Sequence, residues 1–241
     1  DQHGAAVVIL GALFNALKVI RRPSKDIHVV IVGLGAAGTA CAELLLGAGV
    51  THLKGCDKNG LVLDRPLEEL SSFRHNLREL IHYDNPTGTL QEALTGAHVV
   101  IGLSSANVLK AEDLALMAND PIVFALANPD PEISPEAAIP YCRVYASGRS
   151  DYPNQCNNLL AFPGIFRGAL DVQAKAISET MLLAAAEALS KMVPSASLSE
   201  EYIIPSVFDK QVVPKIAKAV SQAAIDSGLA RRTKKEQEED E

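Results

Sequence analysis

Three glycines and one acid carry the first chemical signal in the chain. Gly33, Gly35 and Gly38 stand in the order GxGxxG, written out as Gly33-Leu34-Gly35-Ala36-Ala37-Gly38. In such a turn the first glycine permits a tight bend. The second lets the backbone approach a pyrophosphate, and the third lets a following helix pack close to its strand. Phosphates then sit on free N–H groups at the helix N-terminus, where the dipole favours negative charge. Asp57 stands nineteen residues past Gly38, where an acid would hold the ribose hydroxyls of an adenosine.

That chemistry needs a strand before the turn and a helix after it. Ile27 and residues 29–32 form the apolar, β-branched run that enters the turn, and a helical pattern over 40–48 leaves it. A second strand, 52–56, delivers Asp57. Further strands are expected over 97–103, 121–126 and 144–147, with helices over 4–21, 67–80, 90–94, 111–118, 178–192 and 209–227. Ser178 is a plausible N-cap. Alternating strands and helices imply a Rossmann-like, doubly wound α/β fold: a mainly parallel sheet, helices on both faces, and extra C-terminal helices. Residues 1–230 read as one domain. Residues 231–241, RRTKKEQEEDE, read as a disordered charged tail.

In such sheets ligands bind beyond the carboxyl ends of the strands. Several unusual segments fall there: the glycine turn, Asp57, the small residues Ser104-Ser105-Ala106, Asn128-Pro129, and residues 148–151. Ser104 lies where a small residue lets a cofactor pass. Asn128, Asn157 and Asn158 are uncharged amides that both donate and accept, which suits a site holding a nicotinamide beside a substrate carboxylate or carbonyl. Read locally, Asn128 is a turn residue before proline and Asn157-Asn158 cap the next helix.

Composition bounds the alternatives. Of 241 residues, 48% are apolar, which is enough for a sizeable core. The 29 acids against 22 bases give a formal charge of −7, and no basic stripe is visible, so a nucleic-acid partner is not expected. The apolar N-terminal segment lacks a basic start and a cleavage signal and reads as a buried helix, not a signal peptide; no membrane association is expected. Four scattered cysteines without a CxxC pair fit reduced thiols in a cytoplasmic protein. The six histidines have no ligand spacing, and His28 and His98 read as packed or exposed strand residues. Ser104 has no evident base partner. Arg149 and Asp151 could pair structurally. The first residue is Asp1, not methionine, so a fragment of a longer protein is expected.

The longer words of the chain go further. DQHGAA, VGLGAAG, FALANPDPE, GRSDYPNQCNNLLAFPGIFRGALD and EYIIPSVFD, in that order from Asp1 to Asp209, together resemble the malic enzymes, particularly the bacterial type. The resemblance implies oxidative decarboxylation of malate to pyruvate and carbon dioxide, with NAD or NADP reduced and a divalent Mg²⁺ or Mn²⁺ at the substrate oxygens. It assigns Gly33, Gly35, Ala36, Ala37 and Gly38 to the pyrophosphate turn and Asp57 to the ribose. Asn128, Asn157 and Asn158 fall to the substrate and nicotinamide side, which overrides their local reading as caps and turns. Asp1 matches a metal-ligating aspartate.

The family's tyrosine acid, lysine base and remaining acidic metal ligands lie upstream of the DQHG word, so no catalytic acid or base is expected in this chain. It is expected to bind a dinucleotide but to turn over malate negligibly. The alternative is a non-catalytic dinucleotide-binding module. The resemblance also implies a homodimer or larger assembly of the full-length parent. Asp57 should repel a 2′-phosphate, which favours NAD. Lys58 beside it could accommodate that phosphate, and in this family an acid here does not reliably exclude NADP.

Overall fold

Neighbouring residues of one short strand belong to different cores. In β1 (His28–Val32), Val29 and Ile31 are buried in one apolar cluster, while Val30 and Val32 are buried in another. The period of two puts alternate side chains on opposite faces, and both faces are covered. The computed structural model describes residues 2–57, 60–61 and 88–232. The expected helix over 67–80 and residues 233–241 of the expected tail lie outside them, as does Asp1.

The sheet contains β1, β2 (His52–Asp57), β3 (Gly60–Leu61), β4 (Val99–Gly102), β5 (Ile122–Ala125) and β6 (Val144–Ser147). Their order is β3-β2-β1-β4-β5-β6, with every pair parallel except β2 and β3. Chain order reverses between β1 and β4, so the connections that leave these paired strands turn to opposite sides and open a crevice at their carboxyl ends. The antiparallel β3 was not expected. Residues 57–60 read as a turn, and Gly60 pairs back on Asp57.

The larger core lies between one sheet face and five helices. These are α1 (Gln2–Val19), α2 (Ala36–Gly47), α6 (Phe162–Asp171), α7 (Glu179–Ser190) and α8 (Val212–Asp226). The other face carries α3 (Leu90–Leu94), α4 (Ala111–Leu114) and α5 (Pro135–Ala138), with Leu94, Leu114 and Ala138 buried against Val100, Val123 and Ala125. The doubly wound arrangement and the C-terminal helices are thus as expected. α1 is apolar nearly all round because it packs between α2 and α7. Its one buried amide, Asn15, donates to the carbonyls of Ser190 at 2.8 Å and Ile203 at 2.9 Å.

Element ends differ from the expectation for identifiable reasons. α2 starts at Ala36, not residue 40, because Gly38 within its first turn hides a helical pattern. α4 is four residues long, not eight. The carbonyl of Leu116 accepts from Gly96 N–H, and Ala118 N–H donates to Ala97, so the loop before β4 takes the backbone that a longer helix would use. Ser178 caps α7 as expected, accepting from Met181 N–H at 3.4 Å.

Candidate cofactor cleft

The glycine turn is built by close approach. Gly33 has φ +100°, a left-handed value that favours glycine, and a Cβ there would lie 2.5 Å from the Leu103 carbonyl oxygen. A Cβ on Gly38 would collide with the carbonyl oxygen of Gly33, so α2 can lie this near β1 only with glycine there. Gly35 is different. No atom lies within 4 Å of where its Cβ would be, so the space above it is open. No side chain caps α2, and its leading N–H groups have no intrahelical partner by geometry. An open cradle at an uncapped N-terminus is the arrangement a pyrophosphate requires.

Two cavities flank this turn, and Leu103 forms a wall of both. The outer cavity, about 770 Å³, is lined by Gly33, Gly35, Asp57, Ser104 and Ser105, with Thr89 across from them. The inner cavity, about 560 Å³, is lined by Ala37, Asn128, Arg149, Asp151, Asn157 and Asn158, with Ala5, Val8 and Ile9 of α1 behind. The cofactor residues expected from sequence therefore divide. Gly33, Gly35, Asp57 and Ser104 meet in the outer cavity, and Ala37 and Asn128 in the inner one. Ala36 and Gly38 line neither: Ala36 is exposed, and Gly38 is buried where α2 meets β1. All three asparagines of the expected substrate set are on the inner wall. Asn157 also keeps its local role: its side-chain oxygen caps the following short 3₁₀ turn, accepting from Leu159 N–H at 3.0 Å.

Proton-transfer groups are scarce in the inner cavity. Among the described residues its charged lining consists of Arg149 and Asp151, and these bind each other through two contacts of 2.9 and 2.5 Å. The pairing holds the Asp151 carboxyl below its ordinary range. Arg149 also lies over the Tyr152 ring, 5.0 Å from its centroid, and the Tyr152 hydroxyl donates to Glu136. That hydrogen bond lowers the Glu136 carboxyl and raises the Tyr152 phenol. Cys156, also on the wall, has its thiol pushed up to about 12 by burial, so it is no thiolate nucleophile near neutral pH. The cavity can bind and orient, and among the described residues its lining includes no lysine, tyrosine or histidine to move a proton.

One residue of the cleft carried no role in the sequence reading. Glu132 is fully buried behind the turn after β5. It sits in the quoted word FALANPDPE, but nothing local marks it. His28, His52 and His98 gather at the opposite, amino end of the strands, away from the cleft. His28 stacks 4.6 Å from His52, and His98 Nδ1 accepts from His28 N–H. Among the described residues no group of three His, Cys, Asp or Glu is placed to hold a metal.

Fold and cleft together define a Rossmann-like α/β domain of the dinucleotide-binding class. The family model for the NAD binding domain of malic enzyme matches residues 2–225, and the chain belongs to that family. It is 51% identical over 232 residues to the NAD-dependent malic enzyme of Geobacillus stearothermophilus, covering 96% of this chain and 48% of that protein. It is 45% identical over 234 residues to the bifunctional malic/malolactic enzyme of Bacillus subtilis, covering 97% and 57%. The NADP-dependent malic enzyme of Halomonas elongata is 40% identical over 250 residues, covering 96% and 58%. The crystal structure of the malic enzyme from Pyrococcus horikoshii superposes with a TM-score of 0.91 at 42% identity, covering 99% of this chain and 58% of that one. The chain spans about half the length of the curated relatives it matches.

Proposed function

We propose that this chain is the cofactor-binding half of a malic enzyme, a protein that oxidises and decarboxylates malate to pyruvate with reduction of NAD or NADP. One observation carries the reading: the outer and inner cavities adjoin at Leu103, with Asp57 and the glycine turn on one side of it and Asn128 and Asn158 on the other. A dinucleotide laid across both cavities places adenosine at Asp57, pyrophosphate at Gly35 and the start of α2, and nicotinamide at Asn128. When bound, the nicotinamide supplies the hydride acceptor.

The chain's own residues bind and orient. Asp57 accepts from ribose hydroxyls, and α2 offers N–H groups to the phosphates. Asn128 and Asn158 present amides to the carboxamide and to the substrate. Asn157 Oδ1 is engaged as a cap, which leaves its NH₂ as the group to offer. That the described residues of the inner wall include no lysine, tyrosine or histidine supports assigning the acid and base to the rest of the parent protein. The described residues do not make up a site for Mg²⁺ or Mn²⁺. In this proposal Asp1 is one ligand and the remainder belong to the rest of the parent. Exposed apolar side chains, among them Phe166, Leu170 and Phe208, support a homo-oligomeric parent.

The test is calorimetric titration of the chain with NAD⁺ and NADP⁺ at matched ionic strength, repeated with Asp57→Ala. Binding of one dinucleotide, weakened for NAD⁺ by Asp57→Ala, is the expected result, with NAD⁺ preferred. A chain folded by circular dichroism that binds neither would sink the reading.

A further inference from the structure

We infer that Glu132 is a positioning residue that couples the two halves of the cleft, so that they grip one dinucleotide as a unit. The inference rests on the reading just given. Glu132 Oε1 accepts from Ser104 N–H at 2.8 Å, and Oε2 accepts from Ala127 N–H at 3.0 Å. Ser104 lines the outer cavity, and Ala127 and Asn128 line the inner one. One side chain therefore fixes the segment after β4 on the adenosine side and the segment after β5 on the nicotinamide side.

The rest of its surroundings make that position definite. The backbone carbonyl of Glu132 accepts from Leu109 N–H at 3.0 Å, and that of Pro131 accepts from Asn107 N–H at 3.1 Å, so the 104–109 loop is held by backbone as well. Gly102, the last residue of β4, makes room for the carboxyl group. A Cβ there would lie 2.7 Å from Oε2 and 2.8 Å from Cγ. A buried carboxyl group needs both oxygens satisfied, and here each meets one backbone N–H. Glutamine has the same shape but one acceptor oxygen. Its NH₂ would face an N–H donor, so one of the two ties must break.

A merely structural role would weaken every ligand equally. The coupling role makes a different forecast. AMP is gripped by Asp57 and the glycine turn, whereas NAD⁺ also needs Asn128 in register with them. In calorimetric titrations of the 241-residue chain, Glu132→Gln is expected to lower NAD⁺ affinity about tenfold, the loss typical of one strong hydrogen bond. AMP affinity should stay within about threefold, since neither Asp57 nor the glycine turn is a hydrogen-bond partner of the Glu132 carboxyl group and the 104–109 loop keeps its backbone ties.

Gly102→Ala tests the same carboxyl group from the other side, by displacing it without changing its chemistry, and should give the same split. Parallel loss of AMP and NAD⁺, or no change in either, would overturn the proposal. So would loss of the folded circular dichroism spectrum in both variants, which would assign Glu132 to core stability alone. Failure of the unmodified chain to bind NAD⁺ is a separate outcome, visible before any variant is made. It removes the functional reading and the coupling role with it.

Discussion

Arg149 and Asp151 neutralise each other on the wall of the inner cavity, joined by contacts of 2.9 and 2.5 Å. Both side chains are substantially exposed, so the pair adds little to stability. Its consequence is electrostatic. Asp151→Asn leaves Arg149 charged and raises the local charge by one. The oxidised nicotinamide is cationic and the reduced one is not. The variant is therefore expected to weaken NAD⁺ relative to NADH by about two- to tenfold at low salt. The difference should shrink toward zero near 1 M salt, where screening acts over about 3 Å. Titrating both redox forms at two salt concentrations checks this. An unchanged NAD⁺ to NADH ratio would place the nicotinamide elsewhere.

Asn154 is the polar pin behind that wall. It is buried with φ +58°, donates to the carbonyls of Tyr145 at 3.0 Å and Glu200 at 2.7 Å, and accepts from Ile203 N–H at 3.0 Å. It joins β6 to the 200–203 segment, which Asn15 of α1 also holds. Asn154→Ala removes all three hydrogen bonds and is expected to cost about 2–4 kcal/mol. Asn154→Gly loses the same hydrogen bonds but suits the positive φ, so it should lie measurably above the alanine variant in a urea titration. Equal midpoints for the two would mean that backbone conformation contributes nothing there.

Much of the cleft could be read from residues because its signals are local. Gly33 to Gly38 form one contiguous word, Asp57 ends a short strand, and Asn128 follows an apolar one. Glu132 could not be read that way. Its partners are the backbone N–H groups of Ser104 and Ala127, which every residue type but proline supplies, and one of them is 28 positions away. The same reason hides the true length of α4, which is set by the carbonyl of Ala97 and the N–H of Gly96. Asn157 was legible twice over: both its cap and its place on the cavity wall are present, because one amide has two ends. The antiparallel β3 is only two residues long, too short for a periodic signal.

The histidines at the amino end of the sheet are expected to contribute to acid sensitivity. Burial, then His52, then Lys54 lower the pKa of His28. Burial, then Arg22, then His28 lower that of His98. Folded values below the ordinary 6.5 mean that the unfolded chain binds protons first. Their contribution is therefore fully present above about pH 6.5 and is lost as pH falls through the lower folded values. Protonation of His98 also ends its acceptance of the His28 N–H. His98→Asn keeps an acceptor and removes a titrating group. Its urea midpoint should fall less between pH 7 and pH 5 than that of the unmodified chain. A parallel fall would assign the acid sensitivity to other groups.

The glycine turn separates folding from binding when its members are changed one at a time. Gly38→Ala puts a methyl group against the Gly33 carbonyl oxygen, where α2 meets β1, so the helix must shift. Overpacking of this kind typically costs about 1–3 kcal/mol, or a fall in Tm of roughly 3–10 °C for a chain this size. Gly35→Ala meets no protein atom within 4 Å, and its φ of −79° is open to any residue. Its Tm should move by no more than about 2 °C. Its methyl group nevertheless occupies the space the pyrophosphate would need. NAD⁺ affinity is therefore expected to fall about tenfold or more, as an overpacked contact implies. Thermal melts beside calorimetric titrations of both variants decide the matter. A Gly35→Ala chain that binds NAD⁺ as well as the original would mean that the phosphates do not lie over α2.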